Sequence, residues 1–124
     1  MIGIDIIKIE RIKKMIERFG DKALKRFLCD EEIALVKSAQ SAAGYWALKE
    51  AVAKALGSGV GSEFSFHDVR IYKTEKNAPK IRLSNRVIER FGVQSASVSI
   101  THDEGYAVAV AVLETKEQER LEGF

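Results

Sequence analysis

Four side chains in this 124-residue chain are of kinds that do chemistry and stand in surroundings unusual for them: Asp5, Glu50, Lys54 and His102. Glu50 and Lys54 have the plainest geometry. They lie in AGYWALKEAVAKALGSGVG, residues 43–61, where Tyr45, Leu48, Val52, Ala55 and Leu56 fall within one arc of a helical wheel and predict a helix docked on a core. The acid and the base point away from that arc, four residues apart with the acid first, the better order for an ion pair. As a surface pair they would be worth about 0.3–0.5 kcal/mol. Their neighbours Ala43, Ala47, Ala51 and Ala53 are small, and Trp46 stands one turn before Glu50. Small side chains leave room for a ligand to approach, so the pair reads either as a solvated ion pair or as the acid and base of a site.

Asp5 interrupts MIGIDIIKI, an otherwise β-branched and apolar run that predicts a short buried strand. A carboxylate there is costly to desolvate unless it is paired, hydrogen-bonded, bound to a metal, or at a strand edge with its head in water. Gly3, two residues earlier on the same face, opens space beside it. His102 sits where a strand meets a turn, beside Asp103, and can bond an oxygen or move a proton. Gly57, Gly59 and Gly61 follow the helix, whereas a phosphate loop needs its glycines before a helix N-terminus. The expected role of Gly57 is therefore a left-handed C-cap, and a phosphate near this helix would need Lys54 or a metal to balance its charge.

The rest of the chain must position these groups. Its length and 46% hydrophobic content fit one domain with a modest core. Lys and Arg total 20 against 18 Asp and Glu, but the excess gathers near the N-terminus, so local patches outweigh net charge. Cys29 is the single cysteine, which excludes an internal disulfide, and two distant histidines give no zinc spacing. No apolar run approaches the roughly 20 residues of a membrane span and no basic leader opens the chain, so a cytoplasmic protein outside the membrane is expected.

Ile9, Ile12, Met15, Ile16 and Phe19 have helical spacing, with Gly20 as the stop. Arg11, Lys14 and Arg18 form a second, basic stripe, which Lys22, Lys25 and Arg26 continue through a short helix burying Leu24, Phe27 and Leu28. Charge of this density points to an anionic partner: an acidic protein, a nucleotide or nucleic acid. No aromatic residue is interleaved on the stripe, so stacking on single-stranded bases is unsupported. A helix over 33–39, opened by Asp30, Glu31 and Glu32, leads to a polar joint at 40–43. Phe64, Phe66, Val69, Ile71 and Tyr72 suggest strand, Asn77-Ala78-Pro79 a turn, 81–83 a short strand, and Ser84 caps a helix stopped by Gly92. His67 is expected to have no role.

Residues 95–114, SASVSITHDEGYAVAVAVLE, read as a β-hairpin turning at Asp103-Glu104-Gly105. Val108, Val110 and Val112 take one face of its return strand, and Ala107, Ala109 and Ala111 the other. Both faces are apolar and need cover, and in so short a chain the second cover would be another subunit. Residues 115–124 read as a charged, frayed helical tail to a single domain at 1–114.

GIDI at 3–6, WALKEAVAKALGSGVG at 46–61 and SITHDEGYAVA at 99–109 together closely resemble the holo-acyl-carrier-protein synthases, the small trimeric members of the 4′-phosphopantetheinyl transferase family. The resemblance covers nearly the whole chain in order and spacing. It implies an α+β fold, a small antiparallel sheet with packed helices completed by trimer assembly. It also implies Mg²⁺-dependent transfer of the 4′-phosphopantetheine arm from coenzyme A to a serine of apo acyl carrier protein, releasing adenosine 3′,5′-bisphosphate in support of fatty acid biosynthesis. By position, the resemblance makes Asp5 and Glu50 the Mg²⁺ ligands and places Lys54 near the transferred phosphate and His102 near the coenzyme A phosphates. Glu50, Lys54 and His102 are thus the catalytic candidates. Gly57, Gly59 and Gly61 become a bend along the coenzyme A site, and Arg11, Lys14 and Arg18 the surface that receives the acidic carrier protein. Two positions depart from the family pattern: Cys29 stands where Thr or Ser is common, which would pass the cap to Asp30, and Trp46 stands where Phe is more usual.

In that reading the serine nucleophile belongs to the partner, Glu50 is the candidate base for its proton, and catalysis is mostly positioning plus electrostatic stabilisation. The rival is a non-catalytic module that binds an acidic protein or nucleic acid through its basic surface. The set of Asp5, Glu50 and Lys54 disfavours it, because pure binding of an anion needs no acids facing the ligand, and no nucleic-acid partner is expected.

Overall fold

β1 (Ile2–Lys8) runs straight into α1 (Ile9–Phe19), followed by α2 (Asp21–Lys25), α3 (Asp30–Ile33) and the long α4 (Ala39–Leu56). After a 3-10 turn at Phe66–Asp68 come β2 (Val69–Lys73), β3 (Pro79–Leu83), α5 (Asn85–Phe91), β4 (Val93–Asp103) and β5 (Tyr106–Thr115). The structure, a computed structural model, describes residues 1–116 and 121–124. The fold is α+β. One antiparallel sheet has the order β1-β5-β4, and β2 and β3 form a separate hairpin.

α4 lies across β1 and β5 and is buried on most of its circumference, as a helix apolar nearly all round must be. Its alanines do not leave room for a ligand as expected. Ala43, Ala47, Ala51 and Ala53 are buried by the protein itself, and Ala107, Ala109 and Ala111 of β5 are buried in the same core. Small residues on helix and sheet let the two backbones approach closely. Gly3 shows how closely: a Cβ there would sit 1.9 Å from the Ala51 carbonyl oxygen. The space expected beside Asp5 is filled by the helix backbone.

The opposite face of the sheet is bare. Ile2, Ile4 and Ile6 are 69%, 61% and 61% exposed, so β1 is buried on one face only, contrary to expectation. In register they stand against Val112, Val110 and Val108 of β5, which in turn face Ser97, Ser99 and Thr101 of β4. The face therefore carries six aliphatic side chains bordered by hydroxyls.

Helix ends differ from expectation where local hydrogen bonding outcompeted periodicity. The helix expected at 33–39 stops at Ile33, and the polar joint at 40–43 lies inside α4. Ser38 caps α4: its hydroxyl accepts from the Ser41 N–H, while the Ser41 hydroxyl accepts from the N–H groups of Ser38 and Lys37 at 3.1 and 2.9 Å. Cys29, not Asp30, is the N-cap of α3, with the Glu32 carboxylate accepting from its N–H at 2.8 Å. Phe66 falls in the 3-10 turn and β2 begins at Val69. β5 extends to Thr115, one residue into the expected tail; Leu121–Phe124 have no regular structure, and the rest of that expectation, 117–120, lies outside the described residues.

Candidate active site

β1 turns Gly3, Asp5 and Ile7 toward α4, and this alternation places a carboxylate on the C-terminal half of the helix. Lys54 Nζ donates to Asp5 Oδ1 at 2.9 Å. Lys54 therefore pairs with the strand and not with Glu50, the partner its helical spacing suggested. Asp5 is 14% exposed and Lys54 54%, so the ammonium stands at the surface over a largely covered acid.

Glu50 is half-buried on the same side. Burial pushes its carboxyl pKa up and the charge of Asp5 pushes it further, while Lys54 and Arg11 pull it down. Asp5, Glu50, Lys54 and Arg11 thus share one electrostatic neighbourhood. Arg11, expected only on a docking surface, also reaches the presumed chemistry. Two carboxylates repel here and a single ammonium is bonded to one of them, Asp5, a donor set that gains from a hard cation. Among the described residues no group of three or more His, Cys, Asp or Glu side chains is arranged to hold a metal ion by itself. Two carboxylates nevertheless fit Mg²⁺, which commonly takes one or two from protein and the remainder from water and substrate phosphates.

His102 does not join this group. Its strand lies two strands from β1, and the register aligns Asp5 with Ala109 and Ile100, so His102 is offset by two more residues, roughly 12 Å from Asp5. Its Nε2 lies 3.2 Å from the Gln40 carbonyl oxygen at the start of α4. It borders a cavity of about 160 Å³ together with Gly44, Tyr45, Lys73 and Asn77. Gly44 is needed for this packing: a Cβ there would meet Ile100 at 3.0 Å and His102 Nε2 at 3.1 Å. The candidate residues thus fall in two groups, one toward each end of α4.

Gly57 is the left-handed C-cap of α4, and Gly59 and Gly61 follow in an exposed loop. Arg11, Lys14 and Arg18 are all exposed along α1. Trp46 packs edge-on to Phe27 at 5.1 Å and against Phe66 at 4.7 Å.

The largest omission from the sequence reading is a fully buried ion pair. Lys49 Nζ donates to Glu32 Oε1 at 2.9 Å, to the Phe27 carbonyl at 2.6 Å and to the Phe66 carbonyl at 3.0 Å, and Glu32 Oε2 accepts from the Ile71 N–H at 2.9 Å. This knot ties the α2–α3 connection, α3, the 3-10 turn and β2 to α4. Burial pushes the Lys49 pKa down against the pull of Glu32. A signal was present: on the wheel Lys49 lies in line with Tyr45, Val52 and Leu56, within the buried stripe.

No helix of the structure is long and apolar enough to cross a membrane among the described residues. The sequence profile of the 4'-phosphopantetheinyl transferase superfamily matches residues 1–111. The holo-[acyl-carrier-protein] synthase of Sulfurimonas denitrificans is 55% identical over 115 residues, 93% of this chain and 95% of that protein. The Wolinella succinogenes protein of the same name is 50% identical over 116 residues, 94% and 98% of the two chains. Among solved structures, the Helicobacter pylori holo-[acyl-carrier-protein] synthase in complex with coenzyme A superposes with a TM-score of 0.89 at 51% identity, covering 92% of this chain and all of that one. The Bacillus anthracis synthase gives 0.78 at 34%, covering 93% and 96%. With the fold, the acid pair on β1 and α4, and these matches in agreement, the chain belongs to the 4′-phosphopantetheinyl transferase superfamily.

Proposed function

We propose that this chain is a holo-acyl-carrier-protein synthase, which transfers the 4′-phosphopantetheine group of coenzyme A to a serine of apo acyl carrier protein and releases adenosine 3′,5′-bisphosphate for fatty acid biosynthesis. The observation that carries the mechanism is the meeting of Asp5, Glu50 and Lys54 at the seam of β1 and α4. Asp5 and Glu50 would hold Mg²⁺, which when bound neutralises charge on the phosphate bridge. Lys54 is half exposed and set over Asp5, so its ammonium can turn to the transferred phosphoryl group. Glu50, its pKa raised by burial and by the charge of Asp5, is the candidate base for the serine proton. His102 and the cavity it shares with Lys73 and Tyr45 take phosphates of coenzyme A, while Gly57, Gly59 and Gly61 form a bend along the coenzyme A site. Both named relatives and the coenzyme A complex of the Helicobacter pylori synthase support this reading.

Arg11, Lys14 and Arg18 receive the acidic carrier protein, and the bare isoleucine and valine face packs against further copies of the chain in a cytoplasmic homotrimer of one domain per chain, 1–114. The deciding experiment is mass spectrometry of an apo carrier protein incubated with this chain, coenzyme A and Mg²⁺. A phosphopantetheine mass gain is expected, and carrier that binds but stays unmodified would decide for the non-catalytic module. Arg18→Glu separates docking from chemistry, because Arg11 also acts on Glu50: KM for the carrier should rise and its salt dependence weaken, with coenzyme A binding almost unchanged.

A further inference from the structure

The β2–β3 hairpin carries a charge arrangement that the transfer reaction leaves unused. Arg70 and Arg82 stand directly opposite each other in its register, and Tyr72 and Lys80 form the next pair on the same exposed face. Like charges placed directly across two strands are destabilising. Arg82 lies over the Tyr72 ring at 5.2 Å, and neither arginine takes part in the ion pairs formed among the described residues. Both line a concavity of about 290 Å³ with His67, Ser84 and Asn85.

Asp68 also borders the concavity, but it does not compensate them. Its Oδ1 accepts from Ser84 Oγ at 2.6 Å and Arg86 Nε at 2.8 Å, and its Oδ2 from the Ser65 N–H at 2.8 Å and from Arg86 Nη2. Burial alone would raise the Asp68 pKa, yet the hydrogen bonds from Arg86, Ser84 and Ser65 outweigh it and hold the carboxyl well below the usual range. Asp68 and Arg86 cancel each other and leave two positive charges at the rim. These charges are separate from the catalytic group, since the residues acting on Glu50 are Asp5, Lys54 and Arg11.

We infer that this concavity is a second anion site, which binds the phosphoryl group of a small phosphorylated molecule between Arg70 and Arg82. Guanidinium forks match phosphate oxygens two at a time, and a phosphate dianion balances two such charges where a carboxylate would balance one. Asn85 supplies an uncharged amide donor at the same rim. The inference stands on the hairpin alone and does not depend on the transferase reading.

The test is a titration of isotope-labelled protein with inorganic phosphate, followed by NMR at the Arg70 and Arg82 side chains and the Asn85 amide, against sodium chloride of matched ionic strength. Saturable shifts at these three residues are expected with phosphate and not with chloride. Arg82→Gln should weaken the apparent affinity about tenfold, as expected when hydrogen bonds to a charged group are removed. Arg70→Gln without phosphate should melt no lower than the wild type, because the repulsion is relieved while the Arg82–Tyr72 contact is kept, and Lys54→Gln should leave the shifts unchanged. A response that does not saturate, that chloride reproduces, that survives the Arg70→Gln/Arg82→Gln double substitution, or that Lys54→Gln abolishes would overturn the site.

Discussion

Gly3→Ala tests how the candidate site is seated, and its effect can be worked from distances. An alanine Cβ would lie 1.9 Å from the Ala51 carbonyl oxygen and 2.5 Å from the Ala55 nitrogen, where a carbon needs at least 3.0 Å, so β1 must retreat from α4 by roughly 1.1 Å. Both obstructing atoms are helix backbone and cannot rotate aside. β1 cannot tilt freely either, because its residues from Ile2 to Lys8 are all in register with β5. Overpacking of this kind costs about 1–3 kcal/mol, and a rigid obstacle favours the upper end. For a domain of this size that is a fall in melting midpoint of roughly 5–15 °C. Asp5 lies two residues along the same face and moves with the strand, and a misplacement of about 1 Å at a reacting centre can cost on the order of 100-fold in rate. The assay combines a thermal melt by circular dichroism with the rate of carrier modification at saturating substrates and varied Mg²⁺. A folded, destabilised variant with kcat reduced about a hundredfold is expected. An alanine variant with wild-type melt and rate would refute the claim that this contact seats Asp5.

Glu50 should make both activity and stability depend on pH. Its folded pKa is raised above the ordinary 4.5, so the acid limb of kcat/KM lies above that value, and Arg11→Gln, which removes a charge that lowers it, should move the limb to higher pH; an unmoved limb in pH–rate profiles contradicts the assignment. A raised carboxyl pKa stabilises the fold below 4.5 and loses that contribution as pH rises through the folded pKa, so Glu50→Gln should be more stable than wild type at neutral pH, with the gain vanishing in acid; denaturant titrations at two pH values measure it. Ile4→Glu or Val110→Glu should dissociate the assembly while the protomer stays folded, whereas Ala109→Glu, at a position 1% exposed beneath α4, should unfold it; a monomeric, fully active wild type in sedimentation would remove the interface. Lys49→Ala should cost about 3–5 kcal/mol in urea unfolding by leaving Glu32 buried and unpaired, and a loss under about 1 kcal/mol would show that water reaches the pair.

What the sequence determined by itself was everything carried by short-range period and chemistry. The helix through Glu50 and Lys54, the 95–114 hairpin with its turn at Glu104 and Gly105, the Ser84 and Gly92 stops of α5 and the anomalous Asp5 were all legible, because each depends on neighbours a few residues away. The family motifs at 3–6, 46–61 and 99–109 were legible for the same reason. Tertiary structure alone decided which groups meet. Spacing offered Glu50 as the partner of Lys54, but β1 delivers Asp5 from 49 residues away to form the bond. The alanines of α4 looked like openings, yet with those of β5 they are the means by which helix and sheet come close enough for that delivery. Lys49 drew no reading from its spacing, and it is Glu32, from a separate helix, that meets it in the core. Each of these outcomes depends on the distance between two elements, and that distance is set by the volume of the side chains packed between them, which no local pattern contains.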